Sequence, residues 1–182
     1  MRVGAGDNET LLNAMASDAT KEEHVHFHRK ALIDGGKNAM HLRFLAAMCA
    51  CGDRGISRHQ DLVLPYLLSN QSKILLEVTV VHQALKLRDW YYDLSDLPED
   101  AQDLGELCSG SLRQTEKGAK QKRMLDYFVE SLLLLATLCK PDSSGRRDFV
   151  VQKVRHFLTL SQCKMCLENE LLPEHLRRNM CE

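Results

Sequence analysis

The run from Met124 to Cys139 constrains this chain's fold more than any other stretch. Met124, Leu125, Phe128, Val129, Leu132, Leu133, Leu135, Ala136 and Cys139 cover well over half the circumference of a helix. A helix apolar on so many sides must be covered by more than one neighbour. Its longest unbroken apolar run, Leu132 to Ala136, is far too short to span a bilayer.

The remaining chain supplies candidates for those neighbours. Behind a frayed start, Asn8 to Ala16 offers a short helix with Leu11, Leu12 and Met15 on one face. Thr20-Lys21-Glu22-Glu23 reads as a capping box, predicting a helix from Lys21 to about Ile33 that buries Val25, Phe27, Leu32 and Ile33 and stops at Gly35-Gly36. A helical hairpin follows, from Asn38 to Leu68. Its first helix carries Met40, Phe44, Leu45, Met48 and Cys49 at helical spacing. Gly52 and Gly55 are read as the positive-φ positions that turn the chain. Ser57-Arg58-His59-Gln60 reads as a second capping box, starting the next helix at Arg58. Asn70 and Ser72 interrupt the helical pattern.

Ile74 to Val81 is the β-branched-rich run, and periodicity alone leaves open whether it is a strand or a helix packed on several sides. Leu85 to Trp90 is its candidate partner in a small hairpin, with Trp90-Tyr91-Tyr92 as an aromatic anchor. Leu97-Pro98 opens a helix through Cys108 with Leu104 and Leu107 inward. The polar stretch 109–122 reads as a mobile loop or frayed helix start. After a break at Pro141 to Gly145, a helix is expected from about Arg146 to Leu160, burying Phe149, Val150, Val154, Phe157 and Leu158. A short helix over Ser161–Asn169 and a last one from Pro173 complete the chain.

The fold class that follows is all-α, an armadillo/HEAT-like solenoid of short antiparallel helix pairs, with a small β-hairpin near 74–90 as an open addition and a closed irregular bundle as the competing architecture. The expected divisions are a disordered start at 1–9, first helical hairpins at 10–72, an irregular segment at 73–122, and a second helical block at 123–182 left open at its C-terminal end. A length of 182 residues suits one domain with a substantial core. A net charge of −1 gives no argument for a nucleic-acid or membrane-surface partner. Seven cysteines, an odd number, without a signal peptide point to reduced thiols in the cytosol.

Each candidate for chemistry has a plainer reading. His24, His26 and His28 invite a metal, and His24 and His28 share a helix face, yet no zincin glutamate follows them. Cys163-Lys164-Met165-Cys166 and Cys49-Ala50-Cys51 have knuckle-like spacings but sit in apolar helical stretches, where cysteine behaves as a small core residue. Ser111 and His156 have no motif that brings them to an acid. Neither a nucleophile elbow nor a phosphate-binding glycine loop is present. Lys117, Lys120, Lys122, Arg123 and Arg146-Arg147 offer a phosphate-binding patch, but they are interleaved with Glu116, Asp126, Asp142 and Asp148, the pattern of a solvated surface. The expectation is therefore a non-enzyme with no catalytic residue, no cofactor and no metal site.

Two blocks carry a family resemblance. The first is Arg43-Phe44-Leu45-Ala46-Ala47-Met48-Cys49-Ala50-Cys51, then Gly55-Ile56-Ser57-Arg58-His59-Gln60-Asp61 and Leu67-Leu68. It resembles the RIH domain shared by inositol trisphosphate receptors and ryanodine receptors, with His59 standing where Asn or Thr is usual. The second block is Met124-Leu125-Asp126-Tyr127-Phe128 through Ala136-Thr137-Leu138-Cys139, then Cys166-Leu167-Glu168-Asn169-Glu170-Leu171-Leu172-Pro173 and Leu176-Arg177-Arg178-Asn179-Met180-Cys181. It resembles the inositol trisphosphate receptor just past its ligand-binding core, whereas a ryanodine receptor enters a SPRY module there. The resemblance implies a cytosolic helical-repeat segment of a ligand-gated calcium-release channel of the endoplasmic reticulum. Its implied partners are other domains or subunits of a tetrameric channel. The family's ligand-binding residues lie upstream and its pore downstream, so neither is carried onto this chain. The final helix stops where the family's continues, so a fragment or truncated relative is expected. The rival expectation is a stand-alone α-solenoid adaptor that binds a protein partner.

Overall fold

The structure is a computed structural model that describes residues 18–81, 84–88, 102–112, 114–141 and 148–168, with residues 170, 172, 174 and 177. The helix expected over Asn8–Ala16, the Trp90-Tyr91-Tyr92 anchor, the helix start at Leu97-Pro98, the Arg146-Arg147 pair and most of the helix expected from Pro173 lie outside the described residues.

In chain order the elements are α1 (Asp18–Asp34), α2 (Ala39–Cys49), the two-residue strands β1 (Ala50–Cys51) and β2 (Arg54–Gly55), α3 (Ser57–Ser69) and α4 (Gln71–Ile74). Then come β3 (Glu77–Val81), β4 (Ala84–Arg88), β5 (Gln102–Asp103), α5 (Leu104–Ser111), α6 (Glu116–Cys139), α7 (Asp148–Val154) and α8 (Leu160–Glu168). The protein is thus predominantly helical, with short helices gathered around one long one and a small antiparallel hairpin. The β-branched run resolves as strand: β3 pairs with β4 from Glu77↔Arg88 to Val81↔Ala84. The two-residue β5 adds to the other edge of β4, through Lys86↔Asp103 and Leu87↔Gln102.

Helix α6 has the several neighbours its sequence demands: α2 and α5 lie along it, and α7 touches it. Leu134 and Leu138 are fully buried, and Leu125, Phe128, Leu132 and Leu135 nearly so. Four polar side chains on this helix are also buried, namely Tyr127, Glu130, Ser131 and Thr137. The Tyr127 hydroxyl donates to the Ile74 carbonyl at 2.6 Å, tying α6 to the end of α4. Ser131 and Thr137 donate to carbonyls one turn back, Tyr127 O and Leu133 O, at 2.8 and 2.7 Å.

Several expectations are corrected. Helix α1 starts at Asp18, so Thr20 lies inside it rather than capping it. Phe27 is 61% exposed; it sits roughly 200° around the helix from the buried Val25, on the opposite face. The buried face of α2 is His41, Leu42, Leu45, Ala46 and Cys49, which turns Met40 out to solvent. Positive φ occurs at Gly36 and Gly52, not at Gly55. Helix α3 starts at Ser57 behind Ile56, and Ser72 falls within α4.

Helix α5 begins at Leu104, where the Asp103 carboxylate accepts from Glu106 N at 3.0 Å, and it ends at Ser111 rather than Cys108. Leu104 and Leu107 point inward as their spacing requires. Of the two readings of 109–122, a mobile loop or a helix start, the second is nearer: Thr115 caps the Gly118 amide and starts α6 eight residues before Met124. The helix expected to reach Leu160 instead ends at Val154; a turn follows, and α8 opens at Leu160. Among the described residues no helix is long and apolar enough to cross a membrane.

Truncating Leu134 to Ala should lower the unfolding free energy by about 2–5 kcal/mol, as for other fully buried leucines. Leu112, which is 84% exposed, should tolerate the same change within about 0.5 kcal/mol. Urea denaturation of the full chain measures both.

Candidate functional site

A densely bonded junction joins the α2–α3 turn to the carboxyl end of α6. A helix end leaves its last four carbonyls without partners inside the helix. In α6 these include Thr137 O, and just past the end come Lys140 O and Pro141 O. The sequence ends the helix at Pro141, which cannot continue the hydrogen-bond ladder. Gln60, 1% exposed, reaches across from α3 and donates through Nε2 to Thr137 O at 2.9 Å and to Lys140 O at 3.2 Å. The Gly55 amide donates to Pro141 O at 2.8 Å. In return the Lys140 ammonium donates to Gly52 O at 3.1 Å.

The turn itself is shaped for this approach. Gly52, with φ of 59°, takes the left-handed conformation that closes the β1–β2 pair, in register Ala50↔Gly55 and Cys51↔Arg54. Gly55 serves for space rather than for φ: a Cβ there would lie 2.6 Å from Lys140 O and closer still to the Gln60 amide. Ile56 N returns to Cys49 O at 2.8 Å, and His59, buried, donates from Nδ1 to Met48 O at 2.6 Å. The end of α2, the start of α3 and the end of α6 are thereby one hydrogen-bonded knot. Further along, the Arg43 guanidinium donates twice to one oxygen of Glu130, at 2.9 and 2.6 Å. That hydrogen bond and the Glu130 charge hold the Arg43 pKa above its ordinary value.

Gln60 was read from sequence as a capping-box partner of Ser57; instead its amide crosses to α6. Only the tertiary contact carries that information. The spacing rule that finds a glutamine three residues after a serine cannot tell whether its amide turns back or outward.

A second cluster lies on the α1–α2 edge. His24 and His28 share a face of α1, as their spacing requires, and α2 brings His41 to them. The Nδ1 atoms of His28 and His41 are 2.8 Å apart. The His28 ring stacks on Phe44 with centroids 3.8 Å apart and planes at 17°, and Phe27 sits edge-on to His28. His41 was not singled out from the sequence, although it and His28 lie on either side of the Gly35-Gly36 turn. Among the described residues no group of three His, Cys, Asp or Glu is arranged to hold a metal ion.

Of the other motifs, Cys166 and Cys108 are buried. Burial, with Cys163 and Cys108 nearby, pushes the Cys166 thiol up to about 12; burial, with Asp103 nearby, pushes Cys108 up to about 11. Both thiols stay protonated at neutral pH and are poor nucleophiles. The expectation that both Cys49 and Cys51 lie in a helix is corrected: Cys49 closes α2 in the core, but Cys51 is exposed on β1. Lys117, Lys120, Lys122 and Arg123 are exposed along the first turns of α6. Ser111 donates to Cys108 O at 2.7 Å, and His156 is exposed.

Replacing Gln60 with Leu leaves buried carbonyls at the end of α6 short of a donor and should cost about 1–3 kcal/mol of stability. Gly55→Ala should also destabilise, because its Cβ meets the Lys140 carbonyl of the backbone as well as the Gln60 amide, which is held by its own two hydrogen bonds. Chemical denaturation of each variant against the parent chain gives the comparison.

No protein-family model matches the chain, and no curated protein is significantly similar to it.

Proposed function

We propose that this chain is a non-catalytic coupling segment of an intracellular ligand-gated calcium-release channel of the inositol trisphosphate receptor type. In this reading it is a stretch of armadillo/HEAT-like helical repeat on the cytosolic face of the endoplasmic reticulum, working against other domains or subunits of a tetramer. The observation that carries the reading is that the two sequence blocks bearing the resemblance are bonded to each other. Gln60 of the first block holds Thr137 O and Lys140 O at the end of the second, and Arg43 of the first holds Glu130 within the second. A ligand-driven tilt applied to the α2–α3 hairpin would be carried into α6 through these bonds, because packed helix layers move as semi-rigid bodies.

A second reading, a stand-alone helical adaptor, draws support from Phe27 and Met40, which are 61% and 58% exposed on neighbouring helices. An aromatic and a methionine side chain left to solvent are residue types that partner surfaces favour.

The full transcript that encodes this chain separates the two. The coupling reading expects a basic ligand-binding region upstream and membrane-spanning helices downstream; a message whose coding region contains neither contradicts it. Given that longer protein, Gln60→Leu should raise the ligand concentration needed for half-maximal calcium release while leaving ligand affinity unchanged. Release identical to the parent would remove the joint from the coupling path.

A further inference from the structure

We propose that the His28–His41 contact makes the seating of α1 on α2 sensitive to protons, with α1 loosening as its surroundings acidify through the range in which histidine titrates. This inference is independent of the channel reading.

The geometry sets the limit on charge. Two imidazole nitrogens 2.8 Å apart share one proton: one ring donates N–H and the other accepts with its lone pair. A second proton on the pair turns the acceptor into another donor, and two N–H groups then face each other. The His28 ring cannot swing clear without leaving its stack on Phe44.

The other charges around α1 do little to welcome that second proton. On α1 itself, His24 lies one turn before His28, Glu22 is engaged by Arg58 of α3 at 2.6 Å, and Arg29 covers the ring of Tyr66, also of α3. On α2, Arg43 adds positive charge and is directed to Glu130. On α4, Lys73 is exposed. The groups whose charge acts on His28 are His41 and His24, both of its own sign when protonated.

Burial first, then His41 and His24, lowers the His28 pKa from its ordinary 6.5. The native state then binds fewer protons than the unfolded chain in this window. The stability contributed by the contact is complete above about 6.5 and is lost as the pH falls through the lowered native value. The loss should be regional. The contact joins α1 to α2, while α2 is fastened to α6 by the Arg43–Glu130 pair, which contains no histidine.

Hydrogen exchange of the full chain tests this, read as the protection of α1 amides relative to α6 amides after correction for intrinsic rates. From about pH 7.5 to about pH 5.5, either side of the ordinary histidine value, the ratio should fall several-fold in the parent chain. In His28→Phe, which keeps a ring on Phe44 and cannot titrate, the ratio should hold steady. An unchanged ratio in the parent, or an equal fall in the variant, overturns the proposal. If His28→Phe does not fold, NMR titration of the parent decides. A His28 midpoint below the ordinary value, with α1 amide shifts following it, sustains the proposal; a midpoint at or above the ordinary value overturns it.

Discussion

One buried amide organises this molecule. Gln60 lies in the core with its nitrogen between two carbonyls at the end of α6, and everything nearby is arranged to let it stand there. Gly55 has no side chain because the Lys140 carbonyl and the Gln60 amide occupy the space. Pro141 ends the helix and turns its carbonyl to the Gly55 amide. A buried amide without partners costs more than a satisfied one contributes, so such a contact selects one arrangement of the surrounding chain rather than merely adding to stability.

The consequence is a hierarchy of attachment. Helices α2 and α6 are joined by an apolar face and the Arg43–Glu130 pair, and α3 is pinned to the end of α6 by its buried amide. Helix α1 rests on the outside of that unit. It is held by Val25 and Leu32 in the core, by exposed or half-buried polar contacts to α3, and by the imidazole pair. Inner unit and outer helix thus differ in the chemistry that fastens them. The contacts of α1 lie apart from the joint, whereas the α2–α3 turn is bonded directly to the end of α6.

Much of this order was legible in the residues because it follows from local rules. The α6 pattern demanded several neighbours and has them. The Gly35-Gly36 stop and the inward Leu104 and Leu107 stand where spacing puts them, and the β-branched run takes the strand option that periodicity left open. Several of the misses share a cause, namely interactions between residues distant in sequence. Gln60 looked like a local cap and Gly55 like a turn residue, whereas the polar start of α6, read as a loop or a frayed helix start, turns on the local cap of Gly118 by Thr115. Phe27 and Met40 were assigned to buried faces by residue type; which side of each helix is covered depends on the neighbour and not on the helix alone. His41 was overlooked because nothing in its own neighbourhood marks it. Only the return of the chain past Gly36 makes it a partner of His28.

The most direct test of the central claim is the exchange rate of the Gly55 amide, whose acceptor is Pro141 O. If the α2–α3 turn and the end of α6 are one unit, this amide is released only by unfolding of the core. It should then exchange as slowly as the amides of Leu134 and Leu138, and lose that protection in Gln60→Leu. Rapid exchange typical of an exposed turn, with α6 still protected, would contradict the account.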